Sequence, residues 1–240
     1  MFPIQSTVAT RYPPLVTWCL IAVNSAVFLY EQSLDPAALQ DFILRFALVP
    51  ARDLGGGADN NLYVRLATNM FLHGGWLHLI LNMWTLWLFG PAVEDRMGHA
   101  RYVWFYLGCG VAAALAHALM NPQSDLPSLG ASGAIAGVLG SYMRFFPTAR
   151  VVVIVPLIFI PLFFQMPAAI FAGLWFLMQF VQGTAAALAP TDIGGVAWWA
   201  HVGGFAVGFV VAPLLRQQTG RPRDYFPDEG VLGFDPSGRP

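Results

Sequence analysis

The chain has no lysine: all twelve basic residues are arginine, and against thirteen acidic residues they leave a formal net charge of −1. That balance excludes the basic surface that a nucleic-acid partner requires, so none is expected. Charge of either sign is scarce, at 10% of 240 residues, where a soluble domain carries about a quarter. With 57% of residues hydrophobic, a soluble globular domain is excluded as well, and a multi-span membrane protein in a lipid bilayer remains. Only two cysteines occur, Cys19 and Cys109, both inside apolar segments, which excludes a disulfide framework. Nor do cysteine, histidine and carboxylate fall at metal-ligand spacing, so neither metal nor cofactor is expected.

What is present is a series of apolar segments. Residues 13–30, 76–93, 102–120, about 130–143, 167–188 and 196–215 read as six spans, the fourth short and rich in small residues, as a helix buried among its neighbours would be. The expected organisation is a short cytoplasmic N-terminus over 1–12, a six-span domain over 13–216 and a disordered cytoplasmic tail over 217–240. Between the first two spans, 31–75 is a long outer loop. Asp35-Pro36 is a helix start, and Leu39, Phe42, Ile43 and Phe46 recur on one face, predicting a surface helix near 36–47. Pro156, Pro161 and Pro167 interrupt the charge-free stretch that follows Val151, so 151–166 reads as an irregular or re-entrant connection.

Arginine placement supports the count. With six spans and an inner N-terminus, Arg11, Arg96, Arg101, Arg144, Arg150, Arg216, Arg221, Arg223 and Arg239 are cytoplasmic, and only Arg45, Arg52 and Arg65, all in one long loop, lie outside. That is the positive-inside asymmetry. Splitting the fifth region into two spans would push the C-terminal arginines outside.

Polar side chains inside spans are costly and mark function by default. Ser132 opens the fourth span in Gly130-Ala131-Ser132-Gly133. A structural reading comes first, because Gly133, Gly137 and Ser141 form a small-xxx-small ladder that lets helices approach closely without any chemistry. However, spans two, four and six all run from outside to inside, so His78, Ser132 and His201 fall near the outer ends of their helices. Three chemically useful residues thus share one depth. A serine hydroxyl needs a base to take its proton, which imidazole at His201 supplies. The oxyanion of acyl transfer needs preorganised donors: His78, Asn82 four residues on, and the Ser132 amide are candidates. No acid is placed to orient His201, Asp125 and Asp192 lying in outer loops, so the expectation is a dyad.

The segments TNMFLHGGWLHLILNMWTLWLFGPAVEDRMG, GASGAIAG and AHVGGFAVG, in that order on alternate spans, resemble the rhomboid family of intramembrane serine proteases over roughly residues 60–215. The resemblance implies an all-α, six-transmembrane-helix bundle with both termini cytoplasmic. It makes Ser132 the nucleophile and His201 the general base, with His78 and Asn82 lining the oxyanion hole. The implied substrates are transmembrane segments of other membrane proteins, cut near their outer end through a water-filled cavity closed by a mobile fifth helix. A bacterial inner membrane is the expected location. Because an intact helix hides its carbonyls in hydrogen bonds, substrates with small or helix-breaking residues should be favoured. The alternative is a non-catalytic client-binding protein of the same fold; a transporter would place its polar groups nearer the midplane. Of the remaining residues, His73 reads as structural, Glu94 with Arg96 as a structural inner turn, and Trp198 with Trp199 as interfacial anchors. His99 and His117 have no ligand partners at metal spacing.

Overall fold

The computed structural model describes residues 1–55, 61–157, 160–188 and 196–217. From residue 218 on, the tail expected to be disordered lies outside the described residues, as does Asp192.

Among the described residues, five helices are long and apolar enough to cross a membrane: α1 (Leu15–Ser33), α5 (Trp76–Met97), α6 (His99–Met120), α8 (Ala168–Leu188) and α9 (Trp198–Leu215). Large apolar side chains point outward along them, among them Leu77, Ile80, Trp104, Leu177 and Val210, a pattern that water would penalise and lipid tails accept. A sixth helix, α7 (Ser132–Phe145), spans only 14 residues and is buried over nearly all its length. It ends at Phe146 because Pro147 disfavours helical geometry in the residue before it.

The centre of the bundle is α7 laid against α9. A Cβ added at Gly204 would collide with the Gly133 carbonyl oxygen, and one at Gly208 with the Gly137 carbonyl oxygen. At Gly137 the same atom would stand 2.6 Å from Cys109 Cβ of α6. The glycine ladders therefore do the packing work read from them, since dispersion across close backbones replaces the hydrophobic drive that lipid removes.

Near the C-terminus of α5, Glu94 is buried and accepts hydrogen bonds from the Val16 amide (2.9 Å), the Thr17 amide (2.8 Å) and Thr17 Oγ1 (2.7 Å). Its carboxylate caps the otherwise unsatisfied first turn of α1. His99 Nδ1 lies 2.5 Å from the same carboxylate, and Arg96 stacks over Phe146. The structural reading of Glu94 holds, with α1 and His99 as partners.

Between α1 and α5, Asp35 caps α2 (Pro36–Phe46) by accepting from the Ala37 and Ala38 amides, both at 3.0 Å, where the surface helix was expected. Two short helices, α3 (Pro50–Leu54) and α4 (Leu62–Thr68), continue the loop. Asp53 joins them through Arg52 (2.8 Å) and Arg65 (2.7 Å). Burial would raise the Asp53 carboxyl, but hydrogen bonds from Arg52 and the Val49 amide, and the charges of Arg52 and Arg65, hold it below the usual range.

The connection at 151–166 is not irregular or re-entrant. It is a β-hairpin of β2 (Arg150–Leu157) and β3 (Ile160–Pro167), extended by the N-terminal strand β1 (Phe2–Ser6) into an antiparallel sheet in the order β1-β2-β3. The run Val151–Val155 is β-branched throughout and favours strand, while Pro156 and Pro161 face each other next to the turn, where the ladder tolerates them. The described chain is therefore mostly helical rather than all-α. Phe2 stacks on Trp84 of α5 (5.7 Å), whose Nε1–H donates to the Pro3 carbonyl (2.8 Å), and Ser6 Oγ lies 2.6 Å from the Tyr142 hydroxyl. These contacts hold the strand to the bundle.

Candidate active site

Three helices begin at the same end of the bundle, and each carries one of the predicted residues in its first turns: His78 in α5, Ser132 in α7 and His201 in α9. The approach to Ser132 is a turn through Gly130, whose φ of +123° suits only glycine. A Cβ there would stand 2.7 Å from His78 Cε1 and Nε2, so the His78 ring lies directly against the turn that carries the serine. The Gly130 amide donates to the Asn69 carbonyl (2.9 Å), and Ser128 pairs with Leu48, which ties the turn to the outer loop.

Ser132 Oγ lies 2.8 Å from His201 Nε2. The hydroxyl is half-buried at the mouth of a cavity of about 870 Å³, lined also by His78, Asn82, His117, Trp175 and His201. Water and an extended peptide segment both fit such a volume. His201 is 9% exposed, with Trp175 on one side (5.6 Å) and Trp198 edge-on (6.3 Å).

Asn82 is buried, and among the described residues its Nδ2 has no hydrogen-bond partner. Buried amide donors are normally satisfied, so an unspent one beside the serine turn is a donor held in reserve for a ligand. The Ser132 amide, at the start of α7, adds the positive end of a helix dipole. All four residues singled out in the sequence are thus brought to one cavity, and the arrangement can activate a hydroxyl and stabilise an oxyanion.

A family model described as the Rhomboid domain matches residues 60–218. The chain belongs to the rhomboid family. It is 39% identical over 144 residues to the rhomboid protease GluP of Bacillus subtilis, covering 58% of this chain and 26% of that protein. To RHOMBOID-like protein 4 of Arabidopsis thaliana it is 30% identical over 232 residues, 84% of this chain and 52% of the relative. To the mitochondrial rhomboid protein 1 of Saccharomyces cerevisiae it is 29% identical over 220 residues, 88% and 56%. The chain therefore spans between about a quarter and just over half of the length of these relatives.

Within this rhomboid domain, sequence reasoning passes over Gln179. It is 3% exposed on α8, and its Oε1 lies 2.7 Å from His201 Nδ1. A signal was available, since an amide in a charge-free span is costly wherever it lacks a partner. What spacing cannot reveal is that α8 turns this amide toward a residue 22 positions away.

The bystanders resolve differently. His73 is buried, edge-on to His78 (5.1 Å), and its amide donates to Glu31 Oε2 (3.3 Å). Burial, with the neighbouring His78 imidazole, pushes its own imidazole down to about 4. The hydrogen bond to Glu31 is made by its backbone; among the described residues neither ring nitrogen has a hydrogen-bond partner, so the loop-bonding role expected of the side chain is not seen. His117 lines the cavity, with Asn121 Nδ2 3.4 Å from its Nδ1. Trp198 and Trp199 pack onto α8, the former 3.2 Å from where a Gly183 Cβ would sit and the latter against Phe180 (5.8 Å).

Proposed function

We propose that this chain is an intramembrane serine endopeptidase that cuts transmembrane segments of other membrane proteins near their outer end. The observation that carries the reading is the 2.8 Å contact between Ser132 Oγ and His201 Nε2 inside a cavity. Ser132 Oγ attacks the scissile carbonyl carbon while its proton passes to His201 Nε2. His78, Asn82 and the Ser132 amide hold the oxyanion as it forms. Collapse of the tetrahedral intermediate breaks the C–N bond, and the departing amine takes the proton from His201. Water, deprotonated by the same imidazole, then releases the acyl group from the serine. The family's membership of proteins named proteases supports this assignment.

Topology belongs to the same proposal. The short helix α7 crosses as a sixth span, sheltered by its neighbours, with both termini cytoplasmic and the reaction at the outer side of a bacterial cell membrane. The arginine asymmetry supports that orientation.

The reading is tested with the purified protein in liposomes containing a single-pass membrane protein as substrate. Cleavage should be lost in Ser132→Ala and in His201→Ala, and mass spectrometry should place the cut in the outer part of the substrate's span. Product that persists in both variants overturns the reading. In a cleaved substrate, replacing small or helix-breaking residues by leucine should slow the reaction, because the helix then unwinds less readily.

A further inference from the structure

We infer that Gln179 is a positioning residue that sets the tautomer of His201, so that the catalytic base is completed by a helix that carries neither the base nor the nucleophile. This rests on the proposed protease reading. A neutral imidazole accepts a proton on one nitrogen only, and the nitrogen available is the one without hydrogen. In the structure Gln179 Oε1, an acceptor and never a donor, lies 2.7 Å from Nδ1, while Ser132 Oγ lies 2.8 Å from Nε2. The first contact requires hydrogen on Nδ1. Nε2 is then left as a lone pair facing the serine hydroxyl, which is the state that can take its proton.

The opposite arrangement shows what the amide prevents. Hydrogen on Nε2 would make the imidazole a donor to Ser132 Oγ and leave nothing to deprotonate it. In water the two tautomers interconvert freely. Here Gln179 is 3% exposed and lies outside the cavity lining, so the amide rather than solvent faces Nδ1 and selects one form. The same dipole points its negative end at the ring as positive charge develops during proton transfer. A carboxylate would do this more strongly but would have to be buried in an apolar span.

The position of Gln179 on α8 has a consequence for substrate access. Ser132 and His201 stand on α7 and α9, whose backbones approach closely at Gly133, Gly137, Gly204 and Gly208. Helix α8 meets α9 through side chains instead, Trp175 on His201, Phe176 on Phe205 (4.7 Å) and Phe180 on Trp199. Any displacement of α8 from α9 withdraws the acceptor from Nδ1. The serine is therefore activated only while α8 is seated.

The test compares Gln179→Met, close in shape but without an acceptor, with Gln179→Glu, which presents acceptors only when ionised and is therefore read at a pH where its carboxyl is deprotonated. Three quantities are read: the rate at which a fluorophosphonate labels Ser132, kcat and KM for a liposomal substrate, and the imidazole ¹⁵N signals of histidine-labelled protein, with His201→Ala assigning the His201 pair. The expected result is hydrogen on Nδ1 of His201 in the wild type, and in Gln179→Met a mixture of tautomers with labelling and kcat both lowered by about 10-fold or more and KM unchanged. Gln179→Glu should restore the Nδ1–H form and the labelling that methionine loses. Wild-type protein with hydrogen on Nε2, or a methionine variant that labels at the wild-type rate, overturns the inference. If the methionine variant does not fold, the wild-type tautomer and the glutamate variant decide. A wild type whose tautomer depends on Gln179 but whose Ser132 never labels would overturn the protease reading and leave the hydrogen bond standing.

Discussion

Asn82 separates packing from chemistry more cleanly than any other residue in the cavity. Its side-chain nitrogen is buried without a partner among the described residues, so removing it forfeits no hydrogen bond of the resting protein. Asn82→Ala should therefore leave the melting temperature nearly unchanged while lowering kcat by about 10²–10³-fold. A variant that unfolds yet retains its turnover when stabilised would assign Asn82 to the fold instead. His73 is the converse case. Its folded imidazole titrates at about 4 and its unfolded one near 6.5, so the unfolded chain binds the extra proton first. Stability should then fall as pH drops from 6.5 towards 4, and His73→Gln should flatten that slope in thermal melts recorded across the window. An unaltered slope would mean that His73 does not carry the dependence. At this scale Ser132, His201, His78 and Asn82 were legible because polar groups in apolar spans are conspicuous. Gln179 was not, since its meaning depends on which way α8 is turned.

Elements were legible in proportion to their apolar length. Long spans such as α5 and α6 declare themselves by composition, and the Asp35-Pro36 start of α2 by cap chemistry. The hairpin was misread because three prolines suggest disruption, whereas Pro156 and Pro161, paired near the turn, and Pro167, at the end of β3, sit where a ladder tolerates them. Its partner β1 pairs with residues about 150 positions away, which no local pattern encodes. The glycine ladders were legible as packing surfaces, and the structure makes them quantitative. Gly204→Val should cost about 3 kcal/mol or more in thermal or steric-trap unfolding, because the obstacle is the Gly133 carbonyl, part of a helix backbone. Gly108→Ala, on the open face of α6 with nothing within 4 Å of the new Cβ, should be neutral or slightly stabilising. Equal effects at the two sites would remove the close-packing account of the α7–α9 seam.

The whole molecule joins a charge-poor chain, a buried central helix and a cavity whose catalytic candidates, His78, Ser132 and His201, lie at the end where α5, α7 and α9 begin. The arginine asymmetry supports the proposal that this end faces outward, so tags on the two termini should both be reached only from the cytoplasmic face; tags on opposite faces would refute the proposed six-span topology. The proposed chemistry turns on one contact, a hydroxyl on α7 set 2.8 Å from an imidazole on α9. The most direct measurement is reaction of the folded protein in detergent with a fluorophosphonate, followed by mass spectrometry of the adduct, in the wild type, Ser132→Ala and His201→Ala. The account predicts a single adduct on Ser132 that is absent from both variants. Folded wild-type protein that stays unlabelled, beside a rhomboid protease that labels under the same conditions, would contradict it and turn the cavity into a binding site for membrane clients.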